Sequence, residues 1–169
     1  MHVQPKYDPE SASSFFPDQS SAREPVAGTV PIEEDPNGGL LYTGKINGAV
    51  ANEFPFRITA QDLQRGRERY NVYCSPCHGY AGYGDGMIVQ RGFLAPPSYH
   101  TDRLRQAPVG HFFEVITNGF GRMYSYGSRV DPADRWRIVA YIRALQLSQH
   151  APADELPAEM TQDIGRVHE

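Results

Sequence analysis

Cys74-Ser75-Pro76-Cys77-His78 gathers two thiols and an imidazole into five consecutive residues. The sequence holds 2 cysteines in all, both in this run, so neither a disulfide framework nor a four-cysteine zinc site can be assembled from the chain. Two thiols three positions apart near a helix end can reach the two vinyl groups on one edge of a porphyrin. The next residue then projects its imidazole under the ring centre. The pattern therefore predicts one covalently attached haem c, bonded through Cys74 and Cys77, with His78 on the iron. A redox dithiol, the competing use of C-x-x-C, sits at the start of a helix that follows a strand. Here the motif closes a predicted helix and runs into glycine-rich loop.

Iron that only exchanges electrons needs a second axial ligand, and 4 methionines and 5 further histidines are available. Met87 follows His78 too closely, inside a glycine loop, to be carried round to the opposite face of a porphyrin. Met160 falls in a polar tail, and Met1 and His2 in the N-terminal segment. His100 and His111 could in principle reach the distal side, although His111 stands near the start of a helix whose apolar residues should be core. Met123 is the expected ligand. It lies on a loop between two predicted helices, in Gly119-Phe120-Gly121-Arg122-Met123-Tyr124-Ser125-Tyr126. The glycines let the backbone run flat against a porphyrin, and the aromatics can shield the thioether. A soft thioether opposite imidazole favours the ferrous state and raises the reduction potential. With both axial positions filled by protein no site is left for substrate, so the chemistry is that of an electron carrier and not a catalyst.

A ligating histidine normally donates its other ring N–H to a fixed acceptor. Pro96 and Pro97 are placed to offer His78 a backbone carbonyl, or simply to stiffen a loop. Arg91 is a candidate partner for a haem propionate, or a solvated arginine. Trp136 could donate its indole N–H to a propionate, or pack in the core.

These residues need positioning elements. Thr59 followed by Asp62 reads as a capping-box variant, opening a helix to about Tyr73 with Leu63, Gly66, Tyr70 and Tyr73 on one face. A glycine on that apolar face costs about 1 kcal/mol of helix propensity, which suggests a second helix crossing close by. Residues 79 to 110 read as Gly- and Pro-rich loop. A helix follows over about Val109 to Asn118, with Phe112, Phe113, Val115 and Ile116 apolar and Gly119 as its stop. Asp131-Pro132 supplies an N-cap and a first-turn proline for a helix to about Leu147, with Ile138, Tyr141, Ile142 and Leu145 at i, i+3, i+4, i+7. Residues 1 to 58 carry seven of the 14 prolines and no sustained period, yet Tyr7, Phe15, Phe16, Leu40, Leu41, Tyr42, Phe54 and Phe56 punctuate them. They read as an extended, partner-binding arm rather than a disordered leader. Residues 59 to 150 form the haem domain, and 151 to 169 a surface tail.

Bulk composition excludes other classes. The formal charge of −4 argues against a nucleic-acid binder, which would show a basic excess. No run approaches the length of a membrane span. No secretory h-region opens the chain, although haem attachment of this kind takes place outside the bacterial cytoplasm, so a targeting segment is expected to have preceded residue 1.

Taken together, Gly66 and Tyr70 on the first helix, the C-x-x-C-H run, the proline loop, Met123 and the last helix resemble class I cytochromes c. That resemblance implies an all-α fold around one haem, in which the first and last helices cross at nearly right angles. There Gly66 and Tyr70 meet Tyr141. A narrower likeness runs through Arg67 to Gly79, Ile116 to Tyr126, Asp134 to Gln146, and the N-terminal His2 to Tyr7 and Ser14-Phe15-Phe16-Pro17. These stretches are similar to the mono-haem cytochrome c subunit of bacterial alternative complex III. The likeness implies a subunit of a membrane quinol-oxidising respiratory complex on the periplasmic side of the bacterial inner membrane. Its partners would be multi-haem and integral membrane subunits, with electrons passing on to a soluble cytochrome c or a terminal oxidase. Ile116 and Tyr126 join the residues expected against the haem. Members of that family commonly carry a lipidated cysteine at the mature N-terminus, and no cysteine precedes Cys74 here. The alternatives are a free periplasmic carrier, an oxidase-associated cytochrome c, and an enzyme or gas sensor with an open iron position.

Overall fold

The structure, a computed structural model, describes residues 6–7, 11–23, 26, 28–29 and 39–151. The chain divides into two compact units, Met1–Pro36 and Asn37–Glu169. The expected boundary at residue 58 therefore moves back by some twenty positions. Met1, His2, Met160 and nearly all of the expected surface tail lie outside the described residues.

In the first unit the described segment 11–23 is not extended, as the sequence suggested, but turned back on itself. Ala12 and Ser20 form an antiparallel bridge, and the Ser13 N–H donates to the Gln19 carbonyl at 2.9 Å. Asp18 pairs with Arg23 at 2.7 Å, and the Arg23 guanidinium lies over the Phe16 ring. Phe15 is left 81 % exposed.

The second unit is built on helices. A single turn α1 (Leu40–Thr43) leads into a two-stranded antiparallel ribbon, β1 (Lys45–Ile46) and β2 (Ala49–Val50). Then come α2 (Ala60–Tyr73), the short α3 (Ser75–His78), α4 (Asp102–Gln106), α5 (Val109–Asn118) and α6 (Pro132–Gln149). Thr59 closes a reciprocal capping box: its hydroxyl accepts from the Asp62 N–H at 3.2 Å, and Asp62 accepts the Thr59 N–H at 3.1 Å. This satisfies two N–H groups that helix geometry leaves without partners. Gly119, at φ 80°, ends α5. At the start of α6 Asp131 makes no side-chain capping bond, contrary to expectation; the helix opens on Pro132 alone.

Helices α2 and α6 cross at Gly66. A Cβ there would lie 3.3 Å from Tyr141 Cβ and would overlap the Arg137 carbonyl, so only glycine permits this approach. One turn on, Tyr70 and Tyr141 meet edge to face with centroids 5.3 Å apart, and the Tyr70 hydroxyl donates to Gly79 O at 2.7 Å. An ion network closes the crossing. The buried Asp134 of α6 accepts from Arg65 at 2.9 Å, Arg69 at 3.1 Å and Arg137 at 3.0 Å, and Arg137 also reaches Asp62 at 2.9 Å. Burial pushes the Asp134 carboxyl up, but hydrogen bonds from Arg65 and Arg137 outweigh it and hold it below the usual carboxylate range.

Residues 39–58, read from the sequence as part of an arm, are a strap on this helical core. Leu40, Leu41, Phe54 and Phe56 pack against it. Gly110 of α5 donates to Ala51 O at 2.9 Å, and a side chain at Gly110 would collide with Gly44 and Ala51. Trp136, fully buried, stacks on Phe113 at 4.6 Å and donates its indole N–H to Leu41 O at 2.9 Å. The expectation that Trp136 could serve a propionate fails for that reason: its one donor is committed to the strap.

Candidate metal centre

Cys74 caps the C-terminus of α2, and α3 carries the chain on through Cys77 to His78. The following glycine loop is laid back over this turn. Gly84 N–H donates to His78 O at 2.8 Å, Gly86 N–H to Cys77 O at 3.1 Å and Ile88 N–H to Pro76 O at 3.1 Å. A Cβ on Gly86 would sit 2.6 Å from the Cys77 carbonyl carbon, so the loop can lie this close only because that position lacks a side chain. Burial pushes the Cys74 thiol up to about 12. A redox dithiol needs the opposite, a lowered thiol pKa at a helix start, so the geometry speaks against that use.

His78 sits in an apolar cleft. Its ring is stacked on Tyr99, centroids 4.7 Å apart and planes at 10°. Burial drives its pKa down to about 4, so the imidazole is neutral and its nitrogens are available as ligands. Nδ1 is buried without a hydrogen-bond partner among the described residues. The carbonyl expected from Pro96 or Pro97 is thus not engaged, although Pro97 lines the same cleft. Pro96 instead packs against Gly84.

The same cleft is lined by Pro97, Tyr99, Leu104, Phe112, Val115, Ile116, Ile142, Phe120 and Met123, with Arg103 and His111 as its polar members beside His78. Met123 reaches it from a hairpin after α5, where Phe120 and Met123 exchange backbone hydrogen bonds of 2.9 Å each. The left-handed Gly119 allows that hairpin to fold against the end of α5: a Cβ there would lie 2.9 Å from Ser125 N.

Of the residues singled out from sequence, His78, Pro97, Ile116 and Met123 are brought to one cleft. Tyr126 is half-buried beside it, its ring 6.3 Å from that of Tyr73. Arg91 stands exposed and is not among the lining residues. Met87 is likewise exposed. His100 turns away, with Nε2 at 2.8 Å from Ala81 O. His111, weighed as a ligand, does line the cleft. Arg103 was missed. It belongs to α4, five residues without a periodic signature, and the one hint in the sequence was the Asp102-Arg103-Leu104-Arg105 charge alternation.

A haem fits this set. The donors are a neutral imidazole and a thioether, the wall between them is apolar, no carboxylate lines it, and two cysteines stand beside the imidazole. Among the described residues no three His, Cys, Asp or Glu side chains gather to hold a bare metal ion, and no helix is long and apolar enough to cross a membrane.

Comparison with known proteins agrees. Residues 61–142 match the family model described as cytochrome C oxidase, cbb3-type, subunit III. The match supports reading that stretch as a class I cytochrome c domain, a kind of domain that carries haem c and transfers electrons. Among solved structures, a chain of the Kuenenia stuttgartiensis reducing HAO-like protein complex is similar at 24% identity with a TM-score of 0.48, over 57% of this chain and 49% of that one. The chain thus spans about half the length of that neighbour. No curated protein matches.

Proposed function

We propose that this chain is a mono-haem cytochrome c acting as a one-electron carrier, with haem bonded to Cys74 and Cys77 and its iron between His78 and Met123. The observation that carries the reading is one apolar cleft with a neutral imidazole and a thioether both on its lining. Haem iron, when bound, supplies a one-electron couple, and imidazole with thioether favours its reduced form. The chain's own residues do the rest. Tyr99 holds the His78 ring by stacking. The hairpin from Gly119 presents Met123. Leu104, Phe112, Ile116 and Ile142 keep water away from both ligands. A haem held by both His78 and Met123 would offer substrate no open position on its iron.

The test is optical and electrochemical. The ferric protein should show a sulfur-to-iron charge-transfer band, and Met123→Leu should abolish it and lower the reduction potential. A wild type without the band, or one that takes up carbon monoxide readily when reduced, overturns the assignment.

For its setting, we propose a subunit of a membrane quinol-oxidising complex of the alternative complex III type, on the periplasmic face of the inner membrane. It would take electrons from multi-haem subunits and pass them to a soluble cytochrome c or terminal oxidase. The sequence stretches similar to that complex's mono-haem subunit support this. The name of the matched family model favours a second reading, a cytochrome c associated with a haem-copper oxidase. Purification of the tagged chain from solubilised membranes separates the two by the haem proteins that accompany it. A particle near 18.9 kDa would instead indicate a free carrier.

A further inference from the structure

We infer that Arg135 is the positioning residue of the Met123 loop, fixing how fully the thioether occupies its place on the iron; this rests on Met123 being the axial ligand. Arg135 stands in the first turn of α6, and is only 6 % exposed. Its Nε donates to Val130 O at 2.9 Å, where the methionine loop ends, and its Nη1 donates to Thr117 Oγ1 at 2.6 Å, where the loop begins. One guanidinium therefore ties both ends of the segment that carries Met123.

Thr117 passes the restraint on. Its hydroxyl donates to Phe113 O at 2.7 Å, so its lone pair is turned toward Arg135. Its carbonyl accepts from Ser125 Oγ at 2.5 Å, and that oxygen accepts the Gly127 N–H at 3.1 Å. Next to it, Tyr126 N–H donates to Ile116 O at 2.9 Å, and Val130 N–H to Tyr126 O at 3.0 Å. Met123 lies between these two anchored ends.

The choice of residue is informative. Arg65, Arg69 and Arg137 share the carboxylates Asp134 and Asp62. Arg135 makes no hydrogen bond to a carboxylate among the described residues, and rests over the Phe113 ring at 5.1 Å. Burying a cation on carbonyl and hydroxyl acceptors is costly. It is retained where a planar fork with several fixed donors does something an ammonium cannot. Here that task is to hold Val130 and Thr117 at one separation.

The test uses the holoprotein and added imidazole, which competes with Met123 for ferric iron. If the loop holds Met123 in place for a smaller fraction of the time, the competitor's apparent affinity rises by the corresponding factor. Arg135→Lys keeps the charge and loses the fork; Thr117→Val keeps the arginine and loses its acceptor; Thr117→Ser restores the hydroxyl. Both Arg135→Lys and Thr117→Val should bind imidazole about tenfold more tightly than wild type, equal to about 1.4 kcal/mol, and weaken the sulfur–iron band. Thr117→Ser should match wild type, and the double variant should add little to either single one. If wild type shows the band but both variants keep wild-type imidazole affinity, Arg135 is only a stabilising residue and the inference falls, even if they melt earlier. A wild type without the band removes the ligand reading itself.

Discussion

Replacing Gly66 by alanine should loosen the crossing on which the domain is built. The added methyl would stand 2.6 Å from the Arg137 carbonyl carbon and 3.3 Å from Tyr141 Cβ, where carbon atoms normally rest about 3.5–4.0 Å apart. Both neighbours belong to α6, and the nearer is backbone, so no rotamer change relieves the overlap. The helices must separate by about 1 Å. Overpacking of this kind costs about 1–3 kcal/mol, and backbone overlap puts it at the upper end. Alanine returns about 1 kcal/mol through better helix propensity. The net loss is about 2 kcal/mol, before the strain passed to the Asp134 network and the Tyr70–Tyr141 contact. With a urea m-value of about 1–3 kcal/mol/M, the unfolding midpoint of the holoprotein should fall by roughly 1 M. The protein's single tryptophan, Trp136, reports the core and haem absorbance reports the cleft. Gln64→Ala, exposed on the same helix, should stay within about 0.5 kcal/mol of wild type. A Gly66→Ala midpoint equal to wild type or above it would refute the close crossing.

Asp62 gives a pH signature. The Thr59 side chain first, then Arg137, holds its carboxyl down to about 2, from 3.8. A carboxyl depressed on folding stabilises above its unfolded pKa, and that stabilisation is lost as pH falls through the folded one. Unfolding midpoints should therefore drop between pH 3.8 and about 2, and Asp62→Asn should flatten that part of the curve; superimposable acid curves would count against it. Trp136→Phe keeps the stack on Phe113 but leaves Leu41 O without its donor, costing about 1–3 kcal/mol. Hydrogen exchange should speed up selectively in residues 39–58, and a uniform change would disprove the pinning role. Arg103→Gln removes a positive charge from the cleft lining and should lower the reduction potential, more so at low ionic strength; a potential that does not move places the Arg103 charge too far from the iron to matter.

The long helices were legible because their signals are local. Thr59 and Asp62 lie three residues apart, Gly119 follows its helix directly, and the α6 stripe repeats over three turns. That His78 and Met123 would meet at one cleft was legible for a related reason: C-x-x-C-H is contiguous, and Met123 is flanked by glycines and aromatics between two clear helices. What escaped was made by partners distant in sequence. Nothing near Trp136 announces that its acceptor is Leu41, 95 positions away, and Gly110 gives no local hint that it must admit Ala51. Residues 39–58, which hold one proline, Pro55, and no sustained period, hid a strap that has little secondary structure of its own and holds on by burial. The stack of Tyr99 on His78 likewise depends on how two loops meet.

That strap changes what counts as the smallest working piece of this protein. A fragment cut at Thr59, where the helical grammar begins, would strip Trp136 of its acceptor, bare the Phe113 stack and leave the backbone of Gly110 facing water. An expression boundary drawn near Asn37 keeps the electron-carrying module whole, and any fusion or grafting of the module onto another protein has to bring those twenty residues with it.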